Sequence, residues 1–445
     1  MIISNKIYDL IVVGGGVVGL AILRAATLEG YSCILVERDE HLLSQASGSN
    51  SGIACTGVDA SPGTLERALI RDSISLMRIF CKEHNIPTRP CGSLVAKWPW
   101  NNNENDDDDD EHNLQSVLQE SHDAGDTHAS EISAEELQSL EPNISDKGLG
   151  AVHIPGEIVL DPWVYSIALA VHARENGAEI LTNFHFDPEK SELHDGVWHV
   201  IEKESRGSSP ELSSPRTLKG RTIVNAAGLL ADDMQTKGIG KARWTAKPRR
   251  GQYRIYSTSE KTRITHPIQP IPTQRTKGIF VFSSIYDQLV VGPTALDQES
   301  KTDRSIDPKV AQELDEYAKQ IVPELEPQAD LVGEYVGIRP GTDKRDYQIH
   351  SYPAKRWISV AGIRSTGLTA SLGIGNYVVR SLQSILEPPE SSIDAIRTTG
   401  LPPIEHMVAD FQANDGFVTI QNHNYKVTHP LTICGWKSFP AEGRR

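Results

Sequence analysis

A glycine motif near the amino terminus constrains the fold of this chain more than any other feature. The motif, G-x-G-x-x-G, begins at Gly14 and lies between an apolar, β-branched run at 9–13 and a helical pattern over 17–28. A second apolar run, at 32–36, is followed by Glu37. A strand, a helix and a strand within about 30 residues predict a βαβ unit, which is the opening of a doubly wound parallel sheet.

The spacing within this unit is typical of a dinucleotide site. Gly14 makes the tight turn, Gly16 lets the backbone approach a pyrophosphate, and Gly19 lets the helix and strand pack closely. The helix N-terminus supplies free N–H groups and the positive end of its dipole to the phosphates. Glu37 is placed to accept hydrogen bonds from ribose hydroxyls and to disfavour a 2′-phosphate. The alternative is a glycine-rich strand–helix turn that binds no ligand.

The composition bounds the class of protein. The chain has 445 residues, 38% of them hydrophobic, and a formal net charge of −15. The length predicts two or three domains, and the charge argues against nucleic acid as a partner, because phosphate binding needs a concentrated positive patch. Five cysteines without a C-x-x-C pair indicate a reducing compartment. We expect a cytoplasmic protein with neither a signal peptide nor a transmembrane segment, and peripheral membrane contact stays open.

The middle of the chain has a different pattern from its beginning. Short strand patterns separated by turns, at 252–256, 278–282 and 288–292, predict an antiparallel sheet. The run at 357–361 returns to a buried-strand pattern and is followed by a glycine-rich turn. We therefore predict that the chain leaves the dinucleotide domain for a substrate domain and then re-enters it.

The predicted domain bounds follow from these changes of pattern. The dinucleotide domain takes residues 8–86, 150–232 and 331–385, and the substrate domain takes residues 87–149 and 233–330. Residues 386–445 form an extension to which the sequence assigns no role. The acidic low-complexity run at 101–113 predicts a solvated loop.

Several stretches, in this order, resemble one family of enzymes. The chain is similar to the FAD-dependent oxidoreductases of the D-amino-acid oxidase and glycine oxidase superfamily, above all to the L-2-hydroxyglutarate dehydrogenase and glycerol-3-phosphate dehydrogenase branches. The stretches are 9–38, 50–70, 91–98, 157–170, 222–234, 277–295, 333–349 and 360–379. The resemblance implies an α/β fold class, a Rossmann-like FAD-binding domain with a discontinuous antiparallel-sheet (α+β) substrate domain. It does not extend to the residues after about 385.

The resemblance also implies noncovalent FAD and the residues that bind it. On the ADP half these are Gly14, Gly16, Gly19 and Glu37, and on the path from the ribose to the flavin Arg38, Ser49, Asn50 and Ser51. On the other side of the cofactor they are Ala227 and Gly228, and in the late turn near the flavin Gly362, Gly367, Leu368 and Thr369. A helix N-terminus at that turn stabilises the anionic reduced flavin, although an ordinary strand–helix connection is the alternative.

Three further residues are predicted from the resemblance to contact the substrate. Arg339 lies where the superfamily places an arginine over the flavin face, and Arg364 is a second candidate, since a guanidinium fork binds carboxylate or phosphate in a bidentate manner. Arginines in such turns are also often structural. His266 resembles a histidine of the glycerophosphate branch and is the predicted base for the hydroxyl proton. His153 is an alternative base.

The predicted activity is that of a dehydrogenase or oxidase. It takes hydride from a small anionic 2-hydroxy acid or a glycerol-3-phosphate-like alcohol and passes electrons to oxygen, a quinone or another acceptor. Ser49 and Cys55 stand where the hydroxy-acid branch usually has histidines, which weakens the case for 2-hydroxyglutarate itself. An amino-acid or amine oxidase on the same scaffold, and a non-catalytic flavin-binding redox sensor, are the two alternatives.

Overall fold

The computed structural model describes residues 2–101, 113–204, 215–272, 278–389 and 395–439. Most of the acidic run at 101–113 therefore lies outside the described residues. The strands are β1 (Ile2–Val13), β2 (Cys33–Val36), β3 (Ile53–Ala54), β4 (Thr88–Arg89), β5 (Ser93–Ala96), β6 (Ser130–Ile132), β7 (Ala151–Ile154), β8 (Ile158–Leu160), β9 (Glu179–Leu181), β10 (Phe186–His194), β11 (Val197–Glu202), β12 (Thr217–Asn225), β13 (Ala246–Tyr256), β14 (Ile268–Pro270), β15 (Phe280–Ser283), β16 (Leu289–Gly292), β17 (Leu296–Asp297), β18 (Leu331–Thr342), β19 (Gln348–Tyr352), β20 (Trp357–Ala361), β21 (Phe417–Ile420) and β22 (His423–Lys426). The α-helices are α1 (Val17–Leu28), α2 (Leu65–Glu83), α3 (Leu114–Asp123), α4 (Ala134–Leu140), α5 (Pro162–Glu175), α6 (Ala231–Gly238), α7 (Pro308–Ile321), α8 (Pro327–Asp330), α9 (Gly367–Leu382), α10 (Ile404–Ala413) and α11 (Pro430–Ser438).

Five parallel strands form the centre of the first sheet, in the order β20–β12–β1–β2–β9. The register sets Val13 opposite Val36 on one side and opposite Asn225 on the other. The residues that follow β1, β2 and β12 therefore meet at one edge, and they include the glycine motif and Glu37. Open α/β sheets bind ligands at this carboxyl edge. The strands β10, β11 and β19 extend the sheet as antiparallel neighbours.

The crossover helix α1 packs against α5 and α9 on one face of this sheet. Gly375 of α9 lies against the α1 backbone, and a Cβ atom there would be 2.8 Å from the carbonyl oxygen of Ala21. The two helices thus approach more closely than a side chain at this position would allow. This packing fixes the N-terminus of α9 beside the glycine motif.

The second sheet has nine strands, and the antiparallel ladder between β13 and β18 is its longest pairing. The strand β7 also belongs to it, through β5 and β6. The predicted dinucleotide domain, with residues 150–232 and 331–385, includes β7 and β18, which pair with strands of the second sheet. The sequence of β18 contains glycines and a proline that are typical of a turn. The local sequence therefore gives no sign that β18 pairs with the distant strand β13. The division into two domains itself stays a prediction.

In the extension that begins at residue 386, the described residues 395–439 are folded rather than loosely attached. The helices α10 and α11 flank the hairpin β21–β22, and Met407, Phe411 and Trp436 are buried in the apolar cluster that also holds α1 and α5. The predicted fold class, with a Rossmann-like parallel sheet and a mainly antiparallel second sheet, is confirmed. Within the described ranges, no helix combines the length and the apolar composition that crossing a membrane requires.

Candidate active site

A cavity of about 1020 Å³ joins the carboxyl edge of the first sheet to the β13–β18 ladder. Small-molecule and cofactor sites commonly enclose about 300–1,000 Å³, so this cavity is large enough for an extended cofactor together with a small substrate. The glycine motif lines one end, and the second sheet lines the other. All the predicted cofactor residues line it except Thr369.

The glycine motif forms a cradle with no space for side chains. The φ angle of Gly14 is +115°, and a Cβ atom on it would lie 2.5 Å from the carbonyl oxygen of Ala226. A Cβ atom on Gly19 would collide with the carbonyl oxygen of Gly14. The N-cap residue of α1 is Gly16, which has no side chain, and the N–H of Val17 donates to the hydroxyl of Ser47 at 2.9 Å. The bare glycine backbone and the positive end of the helix dipole face the cavity and fit a pyrophosphate.

Glu37 occupies the position predicted for the ribose-binding carboxylate. Its Oε2 atom accepts a hydrogen bond from the N–H of Gly15 at 2.6 Å, and its Oε1 atom accepts one from the N–H of Asp39 at 2.9 Å. Burial raises the pKa of Glu37, and these two backbone donors oppose the rise. The carboxylate is thereby held beside the motif. Its contact with a ribose stays a prediction.

The loop after β2 lines the next part of the cavity, and the side chains of Asn50 and Ser51 form hydrogen bonds within the loop itself. The Asn50 side chain accepts from the N–H of Gly52 at 2.8 Å and donates to the carbonyl of Ser47 at 2.9 Å. Ser51 accepts from the N–H of Ile53 at 3.3 Å. These bonds fix the path of the loop along the cavity.

The late turn reaches the same cavity, as the sequence predicts. Gly362 has a φ angle of +69° and Arg364 has one of +52°, so the chain reverses sharply before α9 begins at Gly367. No side chain caps α9, and its first turn contains no acidic residue. The hydroxyl of Thr369 accepts a hydrogen bond from the N–H of Cys55 at 3.2 Å. Thr369 thus braces the cavity wall without lining it.

The guanidinium group of Arg364 is already engaged. It pairs with the carboxylate of Glu66, whose side chain is only 5% exposed. The hydroxyl of Thr366 also donates to Glu66, at 2.7 Å. Although Arg364 lines the cavity, this pairing favours a structural role in the turn over the predicted contact with a substrate anion.

Arg339 lies in a cationic wall that the two long strands build. It is opposite Arg249 in the β13–β18 register, and Lys247 of β13 projects from the same face. The guanidinium of Arg339 donates to the carbonyl of Thr294 at 2.9 Å and to that of Arg250 at 3.4 Å. Burial lowers the pKa of Arg339 from its ordinary value. All three basic side chains line the cavity.

The structure places His266 outside the residues that line the cavity. Its Nδ1 atom lies 2.6 Å from Oε1 of Glu141, which also accepts from the backbone N–H of His266. Glu141 is 1% exposed. The ring of His153 meets that of His266 edge-on at 5.4 Å and also lies outside the cavity lining. Neither histidine is brought to the predicted site.

Sequence reasoning missed the residues that β13 contributes. Lys247, Arg249 and Tyr253 line the cavity, and they alternate along the strand with residues that face away. Glu157, just before β8, is 2% exposed and lines the cavity as well. In the sequence, Lys247, Arg249 and Tyr253 all stand at odd-numbered positions, and side chains two residues apart lie on the same face of a strand. This spacing was the available signal for these three residues.

Comparisons with known proteins agree with this geometry. The family model described as "FAD dependent oxidoreductase" (DAO) matches residues 9–381. Glycerol 3-phosphate dehydrogenase from Caloramator mitchellensis is 29% identical over 385 residues, which is 86% of this chain and 75% of that protein. Mitochondrial L-2-hydroxyglutarate dehydrogenase from Nematostella vectensis is 26% identical over 60% of this chain and 57% of its own length. The structure of dithionite-reduced L-alpha-glycerophosphate oxidase from Mycoplasma pneumoniae with FAD bound has a TM-score of 0.75 at 25% identity, over 87% of this chain and 98% of that one.

Proposed function

The chain belongs to the DAO family of FAD-dependent oxidoreductases, and from that premise we propose that it oxidises a small anionic alcohol of the glycerol-3-phosphate type. Bound FAD supplies the ring that accepts hydride from the carbon bearing the hydroxyl group. The residues of this chain bind the anion, orient the alcohol and take its proton. The 2-hydroxy acids are the second candidate class of substrate for the same site.

The observation that carries the proposal is the cationic wall formed by Lys247, Arg249 and Arg339. The whole chain has a formal net charge of −15, so three basic groups on one cavity wall are a local exception. A guanidinium fork matches the oxygens of a phosphate, and a lysine adds a point charge. Because Oδ1 of Asp297 lies 3.6 Å from Nε of Arg249, the wall holds three cations and one anion. The double positive charge that remains matches a phosphate dianion better than a single carboxylate, which supports a phosphate ester.

Two of the relatives are named for their substrates, glycerol 3-phosphate and L-2-hydroxyglutarate, and both substrates are anionic alcohols. The uncapped N-terminus of α9 lies beside the late turn, where its dipole favours negative charge. These features support a common orientation, with the anion on the second sheet and the alcohol carbon towards the late turn.

Proton acceptance is assigned to Glu157 in this proposal, because His266 does not line the cavity. A base must lie within hydrogen-bond reach of the hydroxyl group or of one bridging water. Glu157 is a buried carboxylate in the cavity lining, and its Oε1 atom accepts from the N–H of Thr56 at 3.4 Å. Thr56 directly follows Cys55, whose N–H donates to the hydroxyl of Thr369 in the first turn of α9. Glu157 is thus connected through residues 55 and 56 to the helix that follows the late turn.

The test is anaerobic bleaching of the visible flavin band by a matched panel. Glycerol 3-phosphate and glycerol differ only in the phosphate, so they isolate the contribution of the cationic wall. We expect bleaching by glycerol 3-phosphate at concentrations at which glycerol leaves the band intact, with L-2-hydroxyglutarate as the second responder. Bleaching by glycine or another amino acid alone would instead identify an amine oxidase and refute the proposal.

A further inference from the structure

The segment from α10 to α11, residues 404–438, lies beyond the family match that ends at residue 381. We propose that this segment, here called the C-terminal module, positions two walls of the FAD cavity, and that His429 is the positioning residue through which it acts. The proposal goes beyond the substrate assignment and requires only that the chain bind FAD.

A buried carboxylate anchors the module to the first sheet. Asp161, the N-cap of α5, is 0% exposed. Its Oδ1 atom accepts from the hydroxyl of Thr432 at 3.0 Å, and its Oδ2 atom accepts from the hydroxyl of Tyr286 at 2.7 Å. The same tyrosine oxygen accepts from Nε1 of Trp436 at 2.6 Å. Since buried polar groups are costly when unpaired, this network fixes where α11 sits.

His429 precedes α11 and is fully enclosed. Its Nδ1 atom accepts from the N–H of Leu431 at 3.2 Å, which places the proton of the neutral ring on Nε2. Burial lowers the pKa of His429 to about 3, and the nearby backbone of Asn50 opposes that lowering. Nε2 has no partner within hydrogen-bond geometry among the described residues. The ring is therefore a neutral, rigid group beside the FAD loop.

His429 is connected to both walls through Tyr335. Its ring meets the ring of Tyr335 edge-on at 6.0 Å, and the Tyr335 hydroxyl donates to the Asn50 carbonyl at 3.0 Å. Tyr335 is stacked on Tyr253 at 4.4 Å, with 9° between the rings. Asn50 and Tyr253 both line the cavity, whereas Tyr335 and His429 stand behind them. Moving His429 therefore releases the FAD loop and the tyrosine pair together.

A second contact of the module supports the same loop. The hydroxyl of Thr428 donates to the carbonyl of Leu42 at 3.4 Å, and Thr428 lies against Gly48. Two other elements hold the loop as well, since the hydroxyl of Ser47 accepts from the N–H of Val17 at 2.9 Å and Arg304 donates to the carbonyl of Ser44 at 2.8 Å. The C-terminal module adds the packing behind Asn50 and Gly48.

The experiment compares His429→Asn with His429→Ala in the full chain, by titrating the apoprotein with FAD and following flavin fluorescence. Asparagine preserves the helix cap, so the midpoint of thermal unfolding should stay close to the wild-type value. It lacks the ring that contacts Tyr335. We expect FAD affinity to fall about three- to tenfold in both variants, which is the range of an edge-to-face ring contact.

Tyr425→Phe is the matched control, because it removes a 2.8 Å bond that joins the same module to Arg174 of α5, and neither residue lines the cavity. Its FAD affinity should equal that of the wild type. Full FAD affinity in His429→Asn, or an equal loss in Tyr425→Phe, would overturn the proposal. Should His429→Asn fail to fold, Thr428→Val makes the same test, since unchanged FAD affinity there also contradicts it.

Discussion

Replacement of Arg339 by leucine tests the cationic wall at its centre. The side chain has two backbone partners, the carbonyls of Thr294 and Arg250, so further guanidinium N–H groups remain for a substrate. A hydrogen bond to a charged group contributes about 1.5–3 kcal/mol, and a fork makes two. Because Arg249 and Lys247 remain in the variant, we take the lower end, about 3 kcal/mol, which is a loss of roughly 100-fold in kcat/KM.

The loss should appear mainly as a raised KM, since the anion is bound alike before and during the reaction. The assay is steady-state turnover of glycerol 3-phosphate with an artificial electron acceptor, at matched FAD content. Arg339→Lys keeps the charge without the fork and should lose about tenfold. Arg243→Leu is the control, because Arg243 lies over the ring of Tyr352 at 5.8 Å and outside the cavity lining.

Leucine at position 339 also removes the donor to the carbonyls of Thr294 and Arg250, which costs about 1–3 kcal/mol of stability. Thermal unfolding of each variant therefore accompanies the kinetics, and only folded, FAD-loaded protein is compared. An Arg339→Leu enzyme with the KM of the wild type would refute the assignment of the cationic wall to the substrate anion. A loss of equal size in Arg243→Leu would refute it as well.

Three further outcomes follow from buried groups. Glu157→Gln should lower the rate of anaerobic flavin reduction by about 10²-fold or more with FAD binding unchanged, as measured by stopped flow, and an unchanged rate would exclude it as the base. Glu66→Gln leaves Arg364 in the late turn without its partner carboxylate, and we expect the midpoint of thermal unfolding to fall by about 2–4 °C. An unchanged midpoint would contradict the pairing of Arg364 with Glu66. Burial lowers the pKa of His84 to about 3 and that of His172 to about 4, so the unfolded chain binds protons that the native one does not. The free energy of unfolding should therefore fall as the pH drops from about 6.5 to about 4, and a pH-independent value across that window would be inconsistent with these burials.

The parts of the site that the sequence predicts are those fixed by local geometry. The glycine motif and Glu37 lie within one βαβ unit, and their relative positions follow from strand and helix periodicity. The late turn is distant in the chain, and the resemblance predicts that it lies near the flavin. The structure brings it to the same cavity as the glycine motif, because its strand β20 joins the same parallel sheet. Short-range patterns and the order of motifs were sufficient for the FAD half of the cavity.

The substrate half depends on pairings that no local pattern encodes. Arg339 was predicted from its segment, but its partner Arg249 becomes visible only through the register of β13 with β18. His266 was predicted as the base from the sequence around it. In the structure its ring is bonded to the carboxylate of Glu141, 125 residues away in the chain, and lies outside the cavity lining. The C-terminal extension carries few motifs, and its role emerges only from the buried contacts of Asp161 and His429.

The substrate assignment is tested most directly by a crystal structure of the FAD-loaded protein with glycerol 3-phosphate. We expect the phosphate within hydrogen-bond distance of Arg339 and Lys247, and the hydroxyl of the central carbon within reach of Glu157, directly or through one water. A phosphate bound away from the β13–β18 wall, or an alcohol carbon turned away from the late turn, would contradict it.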